Sequence, residues 1–393
     1  MLSSGQKSAP KIILLTNFST NHLPMTQSLI KELETGGKNS LLKKRIINHH
    51  IYNGNTTIAE LSKALDISIP TTTKLIDEMV AAGFINSYGK LETNEGRHPL
   101  LYGLNPDSAY FVGVDINPFY ISLGLINFNG ELIDQCMKVP YNFSNDEKGL
   151  ERLCKLIQEF IDKSAIDRTK ILNVNVNISG RVNPESGYSY SWFNFGEVPL
   201  TQLISQQIGG LPVTIDNDTR AMTYGEYVSG NVNNRRNMLF VNISWGLGLG
   251  IIIDGKPYTG NSGFAGEIGH YPVFDNEIIC HCGKKGCLET ETSGKAVHRK
   301  LLERVARGES SIIPKEVLED TGNINLEAIV NAVLKEDVLC IDIIEDVGYK
   351  LGRQIAGLIN LFNPEEVVIG GIIDPERLRS LIKRQAAYLI TDS

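Results

Sequence analysis

The most constraining feature of this chain of 393 residues is a strand pattern that occurs twice. In its first occurrence, apolar segments at 111–116, 120–126 and 131–139 are separated by short polar turns, which predicts a meander of three strands. An amphipathic segment at 147–165 and a strand-like segment at 171–178 follow. This order of strand, strand, strand, helix and strand predicts an α/β lobe.

A similar opening recurs in the second half of the chain. Residues 238–243 predict one strand and residues 251–253 predict its partner, and we expect Gly246, Gly248 and Gly250 to lie in the loop between them. The repetition predicts two related lobes. A mass of 43.4 kDa allows them, since a chain of this length holds two or three domains.

Composition narrows the class of protein. Hydrophobic residues make up 42% of the chain and charged residues 21%, which indicates a globular protein and excludes a disordered or fibrous one. The longest early apolar run, residues 12–15, is far shorter than a signal peptide core or a membrane span, so we expect a cytoplasmic protein with no membrane partner. Residues 1–105 carry 11 Lys and Arg against 8 Asp and Glu, although the whole chain has a net charge of −7. The front segment is therefore the part that nucleic acid could attract.

The front segment shows the order of a winged helix-turn-helix. Apolar residues at helical spacing between 41 and 51 predict a first helix, and Thr57, three residues before Glu60, is typical of the capping box that starts a second one. A third helix is predicted from Pro70 to Gly83, with Ile69, Thr72, Ile76, Met79 and Val80 turned inward. Two short strands near residues 84 and 101 would form the wing.

In a winged helix-turn-helix the N-terminal residues of the last helix enter the major groove. Thr71, Thr73 and Lys74 are therefore predicted to contact DNA bases or phosphates, and Arg97, at the tip of the wing, to reach the minor groove. The alternative is a small helical packing domain whose basic residues are merely solvated. The specific order of the elements favours DNA binding.

Three cysteines lie within eight residues, at Cys280, Cys282 and Cys287. Thiols this close together in a polar, glycine-rich loop have no core to pack into, so the spacing predicts a metal site in which an imidazole completes a tetrahedral set. His270 and His281 both compete for that position. The three other cysteines are scattered on apolar segments, where ordinary core packing accounts for them.

A polar triplet, Asp216-Asn217-Asp218, follows the strand-like segment 212–215. Carboxylates and amides suit vicinal hydroxyl groups because each can form two hydrogen bonds. The alternative is that the two aspartates cap a helix that starts near Thr219. Both roles can coexist.

A set of glycines and one histidine in the second half of the chain resemble the signature of a known family. Gly246-Leu247-Gly248-Leu249-Gly250, Gly260 and Gly266-Glu267-Ile268-Gly269-His270 resemble the signature of the ROK family of repressors, open reading frames and kinases, from about residue 41 to the end of the chain. With a winged helix-turn-helix in front, the chain is similar to the repressor branch. The resemblance implies an α/β protein whose N-terminal winged helix-turn-helix precedes a two-lobed actin-like (ribonuclease H-like) sugar kinase fold. We expect an arm at 1–40, a DNA-binding domain at 41–105, an N-terminal lobe at 106–225 and a C-terminal lobe with the zinc loop at 226–393.

The resemblance also implies roles for individual residues. It selects His270 to join Cys280, Cys282 and Cys287 as ligands of a structural zinc ion. In the kinases of the family, the residue that matches Asp218 is the general base, and the following residues line the sugar pocket: Gly180, Arg181, Asn217, Asp218, Glu267, His270 and Glu289. The lobes of such a fold close over a cleft that holds the sugar.

Two departures from the kinases concern the grip on ATP. Where the kinases carry Asp-x-Gly-Gly-Thr, this chain has Asp115-Ile116-Asn117-Pro118, and Pro118 offers no amide hydrogen. Where they carry Gly-Thr-Gly, it has Ser244-Trp245-Gly246. Phosphoryl transfer depends on amides, hydroxyls and magnesium around the phosphates, so these losses favour a sensor over an enzyme.

The sequence therefore predicts a sugar-responsive transcriptional regulator, a repressor that binds operator DNA and takes a monosaccharide or sugar phosphate as effector. A homodimer or homotetramer is expected because symmetric half-sites need paired heads. The first alternative is an ATP-dependent hexose kinase with an attached DNA-binding domain, which alone would need ATP and magnesium. The second is a zinc-stapled interaction protein that binds neither sugar nor DNA.

Overall fold

A computed structural model describes residues 33, 36–91, 98–229, 235–319 and 326–371. By its internal contacts the chain forms two compact units. Unit 1 comprises residues 1–218 and 228–230, and unit 2 comprises residues 219–227 and 231–393. Across the described ranges, every helix is too short or too polar to cross a membrane.

The first part of unit 1, residues 38–104, is called the head. Its elements, in chain order, are the helix Lys38–Asn53 (α1), the strand Thr56–Thr57 (β1), the helices Ile58–Leu65 (α2) and Ile69–Ala81 (α3), and the strands Ile85–Lys90 (β2) and Leu100–Leu104 (β3). The strands form an antiparallel sheet in the order β1-β3-β2. The predicted winged helix-turn-helix is therefore confirmed, whereas Arg97 at the wing lies outside the described residues.

Local chemistry sets the ends of the helices in the head. The backbone amide of Glu60 donates to the Thr57 hydroxyl and the Glu60 carboxylate accepts from the Thr57 amide, which is the predicted capping box. Ser68 caps α3, and Gly83 follows that helix with a φ of +79° that favours glycine.

The buried face of α3 differs from the prediction. Thr72, Ile76 and Met79 are buried as expected, but Ile69 is 57% exposed and Val80 39% exposed. Leu75 takes the inward position instead, because the face that packs against the first two helices is set by tertiary contacts and not by apolar character alone. An apolar side chain, Ile69, is thereby exposed at the start of α3, which is called the recognition helix because it is the helix predicted to enter the major groove.

The rest of unit 1 is built on a five-stranded sheet. Its elements are the strands Tyr110–Ile116 (β4), Tyr120–Asn127 (β5), Leu132–Pro140 (β6), Ile171–Ile178 (β7) and Val213–Asn217 (β10), the hairpin Val182–Asn183 (β8) and Tyr188–Ser189 (β9), and the helices Glu147–Lys163 (α4) and Leu200–Gln207 (α5). The strand order is β10-β7-β4-β5-β6, parallel from β10 to β4 and antiparallel from β4 to β6. The predicted meander, helix and parallel strand are confirmed.

The head and this sheet share one hydrophobic core. The ring of Phe84, at the end of the head's helices, lies 5.5 Å from that of Phe128, which in turn stacks on Phe111 at 6.5 Å. Leu172 of β7 belongs to the same cluster as Ile76 of the recognition helix. Because a close-packed core transmits displacement, a movement of the sheet would also shift the head.

Unit 2 repeats the arrangement of unit 1. Its elements are the helix Asp218–Ser229 (α6), which begins in unit 1, the strands Met238–Ile243 (β11), Leu247–Ile253 (β12), Lys256–Pro257 (β13) and Glu366–Gly370 (β14), and the helices Glu289–Thr292 (α7), Gly294–Ala306 (α8), Lys315–Glu319 (α9), Leu326–Leu334 (α10) and Val338–Phe362 (α11). The strand order is β13-β12-β11-β14, with β14 parallel to β11. This matches the order β6-β5-β4-β7 in unit 1, which confirms the predicted duplication. Short 3₁₀ turns lie at Pro106–Ser108, Arg168–Lys170 and Ile268–His270.

One local prediction in unit 2 was wrong. Gly248 and Gly250 do not loosen a loop; both lie inside β12. A Cβ atom on Gly248 would meet Thr219 Oγ1 at 2.3 Å, and one on Gly250 would meet Thr223 Oγ1 at 1.7 Å. The glycines therefore allow helix α6 to approach the strand closely.

Candidate functional site

The four predicted metal ligands lie together in unit 2. One ligand atom from each of His270, Cys280, Cys282 and Cys287 falls within 4.8 Å of all the others. Cys280 Sγ lies 3.5 Å from His270 Nδ1, and the sulfurs of Cys282 and Cys287 lie 3.6 Å apart. Around a tetrahedral zinc ion the edges would be about 3.6 Å for sulfur to nitrogen and about 3.8 Å for sulfur to sulfur. The residues therefore fit such an ion, with His270 Nδ1 facing the sulfurs.

The backbone of residues 270–287, here called the metal loop, is shaped for this cluster. Gly283 and Gly286 have φ values of +85° and +70°, and a Cβ atom on Gly286 would lie 1.9 Å from the carbonyl oxygen of Phe274. The amide of Cys280 donates to the carbonyl of Lys284 across the turn. Only glycine allows these turns, so the glycines between the cysteines bring the thiols together.

A second group of ligand atoms overlaps the first. His270, His281 and Glu289 also meet the distance criterion, and His281 Nδ1 lies 2.9 Å from Glu289 Oε1. Burial would raise the pKa of Glu289, but the hydrogen bond from His281 and the charges of both histidines lower it below its ordinary value. His281 is thus held by a carboxylate, and its Nδ1 lies 3.8 Å from Cys280 Sγ, farther than the 3.5 Å of His270 Nδ1.

Three of the residues predicted to bind sugar, Glu267, His270 and Glu289, lie in this part of unit 2. His270 Nε2 lies 3.7 Å from Glu267 Oε2, and Glu289 Oε2 accepts a hydrogen bond of 3.2 Å from the amide of Leu247. A Cβ atom on Gly246 would lie 3.0 Å from Glu289 Oε2, and one on Gly269 would lie 3.4 Å from it. The glycine signature therefore makes room for the buried Glu289 carboxylate, a contact that the sequence alone did not reveal.

The other predicted sugar ligands lie in unit 1. Asn217 Nδ2 donates to the carbonyl of Gly180 over 3.0 Å, and the amide of Arg181 donates to Ser191 Oγ over 2.9 Å. The φ of +89° at Gly180 shapes this turn. The structure thus brings Gly180, Arg181 and Asn217 together, next to Asp218 at the start of α6.

Asp115 and Asp218 form an acidic pair at the same end of the sheet. Burial, and then the negative charge of Asp218, raises the pKa of Asp115 to about 6. The helix starts at Asp218 itself, whereas Asp216 Oδ1 accepts from the amide of Asn217. The Asp218 carboxylate therefore stands at the helix start in either role, as a cap or as a ligand.

The first phosphate loop of the kinases is closed in this chain. The amide of Asn117 donates to the carbonyl of Tyr120, and the amide of Phe119 donates to Asn117 Oδ1. Pro118 between them has no amide hydrogen. This turn has no amide left to offer a phosphate.

The second phosphate loop is closed as well. Ser244 Oγ donates to Asn242 Oδ1 over 2.7 Å, and the first amides of α8, those of Gly294 and Lys295, donate to the carbonyls of Ser244 and Trp245. The Trp245 ring lies 6.2 Å from that of His298. The helix N-terminus that could have bound an anion is thus occupied by the chain's own carbonyls.

Three of the four residues predicted to contact DNA, all except Arg97, lie near the start of α3. Thr71 Oγ1 is within 2.8 Å of Ser68 Oγ, Thr73 Oγ1 donates to the carbonyl of Ile69, and Lys74 is 71% exposed with its Nζ 4.0 Å from Glu78. Lys43 of α1 is different: it is 3% exposed and pairs with Glu78 over 2.8 Å. Lys43 therefore stabilises the fold of the head, whereas Lys74 is an exposed cation in the first turns of the recognition helix.

Comparison with known proteins agrees with this architecture. Residues 111–392 match the ROK family, and residues 40–86 match a winged helix-turn-helix DNA-binding domain. A putative xylose repressor of Caldicellulosiruptor sp. (strain Rt8B.4) is 32% identical over 356 residues, which cover 88% of this chain and 87% of that protein.

Two solved structures are also similar. One is a ROK family transcriptional regulator, a homologue of the E. coli MLC protein, with a TM-score of 0.73 and 29% identity over 88% of this chain and 86% of the other. The other is a ROK family glucokinase from Streptomyces griseus in complex with glucose and AMPPNP, with a TM-score of 0.61 and 25% identity over 72% of this chain and 91% of the other. Since the family match follows a winged helix-turn-helix and runs through both duplicated sheets, this chain belongs to the ROK family and carries an N-terminal DNA-binding head.

Proposed function

We propose that this chain is a sugar-responsive transcriptional repressor. One observation carries the proposal: a winged helix-turn-helix shares its hydrophobic core with a ROK sheet whose phosphate loop is closed by its own hydrogen bonds. Operator DNA is the partner of Thr71, Thr73 and Lys74, with Arg97 as a further contact. A homodimer or homotetramer supplies the paired heads that a symmetric operator requires.

The effector is a monosaccharide or a sugar phosphate, and D-xylose is the first candidate because the relative from Caldicellulosiruptor is named as a putative xylose repressor. The proposed ligands offer carboxylates, amides and an imidazole, which suit hydroxyl groups. They are Gly180, Arg181, Asn217, Asp218, Glu267, His270 and Glu289.

The metal of the loop is zinc in a structural role. Three thiolates and one imidazole form a closed set, which leaves no open position for a reacting group. His270, Cys280, Cys282 and Cys287 would hold the ion, and its binding would fix His270 and Glu289 for sugar recognition.

A second candidate function is an ATP-dependent hexose kinase with an attached DNA-binding head. It is favoured by the similarity to a glucokinase and by the retention of Asp218, which would then be the general base. The closed phosphate loops favour the repressor.

The response to sugar can be tested on operator DNA obtained by selecting genomic fragments with the purified chain. We expect a saturating sugar from a panel led by D-xylose to weaken operator binding at least about ten-fold, since coupling of this kind is typically 5- to 150-fold. Glu267→Ala should keep the operator affinity and lose the sugar effect. Glu277→Ala is the matched control, because this carboxylate lies only ten residues farther along the chain but pairs with Lys285 at the surface. Sugar-insensitive binding by the unaltered chain across the whole panel would contradict the proposal, and loss of both responses in Glu267→Ala would indicate unfolding.

DNA contact by the recognition helix predicts an effect of Lys74→Ala. Removing one phosphate contact should weaken binding to all sequences alike and reduce the slope of log affinity against log salt by about 1 per head. The measurement is a salt titration of operator binding. Lys155→Ala is a matched control, since Lys155 is also exposed and also faces a glutamate one helical turn on, at 3.7 Å, but lies in α4. An unchanged slope in Lys74→Ala would remove this residue from the interface.

A further inference from the structure

Trp192 lies directly against the turn that holds Gly180. A Cβ atom on Gly180 would come within 2.5 Å of Ser191 Oγ and 3.7 Å of Trp192 Nε1. The indole nitrogen therefore faces the backbone of Gly180, the residue whose carbonyl accepts from Asn217. All of these residues belong to unit 1.

The position of the indole is well determined by its surroundings. The amide of Trp192 donates to Ser189 Oγ over 3.3 Å, and the next amide, that of Phe193, donates to Asn145 Oδ1 over 2.7 Å. The ring of Phe143 meets that of Trp192 edge to face at 4.9 Å. The indole is half-buried, so packing fixes it while part of its surface stays accessible.

The indole N–H of Trp192 is the polar group of this residue that the described part of the chain leaves unused. Among the described residues, the Trp192 Nε1–H has no hydrogen-bond acceptor, although its backbone amide is satisfied. This atom is not one of the buried side-chain atoms that lack a partner in the described part of the chain, so the Nε1–H stays accessible to a ligand. Packing thus holds an accessible donor beside the turn of Gly180 and Asn217, where it can meet an acceptor on a ligand.

We propose that Trp192 is a specificity-determining residue that donates a hydrogen bond from Nε1 to one hydroxyl oxygen of the bound sugar. The inference rests on the proposed function, since it takes Gly180 and Asn217 as sugar ligands. It assigns to Trp192 the recognition of one position on the sugar ring, because a donor that is held by packing rejects an analogue that lacks the matching oxygen.

The test compares Trp192→Phe with the unaltered chain by calorimetric titration of the active sugar and each of its monodeoxy analogues. In the unaltered chain, one analogue should bind about ten-fold more weakly than the parent sugar. Trp192→Phe should bind the parent about ten-fold more weakly and show no further loss with that analogue. Trp245→Phe makes the same change at the other tryptophan and should keep the profile of the unaltered chain.

Parallel profiles in Trp192→Phe and the unaltered chain would overturn the inference and leave the proposed function standing. If the unaltered chain binds no monosaccharide, the proposed function fails and this inference fails with it. A second measurement does not depend on the folding of Trp192→Phe. In Trp245→Phe, Trp192 is the remaining tryptophan, so its fluorescence should shift or be quenched when the sugar saturates the protein, and an unchanged spectrum would contradict the contact.

Discussion

Replacing Cys287 by serine is expected to abolish zinc binding and the response to sugar while leaving operator binding in place. Cys287 is fully buried, its sulfur lies 3.6 Å from that of Cys282, and it closes the metal loop just before Glu289. Structural zinc supplies about 10–16 kcal/mol in small zinc-dependent folds, so the loss should cost at least about 3 kcal/mol here. For a unit of this size that lowers the midpoint of thermal unfolding by roughly 6–12 °C.

Three separate measurements test this prediction: the metal content per chain, the thermal unfolding midpoint, and the release of operator DNA by sugar. Cys340→Ser is the matched control, because Cys340 is equally buried in unit 2 but packs in the hydrophobic core of α11. It should keep one zinc ion per chain and the sugar response. A chelator applied to the unaltered chain should reproduce the effect of Cys287→Ser. Purification of a stable, sugar-responsive Cys287→Ser chain without metal would show that the metal loop folds by other means.

The response of the head in these experiments depends on the core that it shares with the sheet of unit 1. Strand β4 carries Phe111 in that core and, at its other end, Asp115 beside Asp218. A sugar that binds one arrangement of this strand better than another would shift the equilibrium between two arrangements of the head. The shift equals the difference between the two binding free energies. About 5.5 kcal/mol of such preference moves a pair of states from 1:99 to 99:1.

Most of the fold could be predicted because its signals are local. The capping box of Thr57 and Glu60 needs only residues three apart, and the strand pattern of each lobe repeats within a short stretch. The errors occurred where contacts with a distant part of the chain determine the local structure. Gly250 reads as a loop residue until Thr223 of α6 is known to lie against it, and Ile69 reads as core until Leu75 is seen to take the inward face.

The candidate site was predictable to a similar extent. Spacing alone identified the three thiols, while the choice of His270 over His281 came from the family resemblance. Pro118 and Trp245, which depart from the pattern of the kinases, were visible in the sequence. The hydrogen bonds from the amides of Gly294 and Lys295 to the second phosphate loop were not. Such contacts join segments some 50 residues apart and leave no local pattern.

These closed loops predict that the chain turns over no ATP. With ATP, magnesium and a panel of hexoses, amino sugars and pentoses, we expect ADP release below about 0.01 per second, against roughly 1–100 per second for ordinary kinases. The reason is that amides and hydroxyls stabilise the transferred phosphoryl group only if they point at it, whereas those of Asn117, Phe119 and Ser244 are already bonded within the protein.

The measurement is a coupled assay of ADP release, and Asp218→Asn is its control. Any ADP release that persists in Asp218→Asn comes from a contaminating enzyme, because a kinase of this family would need that carboxylate as its base. An ATP analogue should also leave the thermal unfolding midpoint unchanged, since binding raises it in proportion to the logarithm of ligand concentration over Kd. Turnover within the ordinary range that disappears in Asp218→Asn would instead establish the kinase, and would mean that the turns at Pro118 and Trp245 rearrange to hold the phosphates.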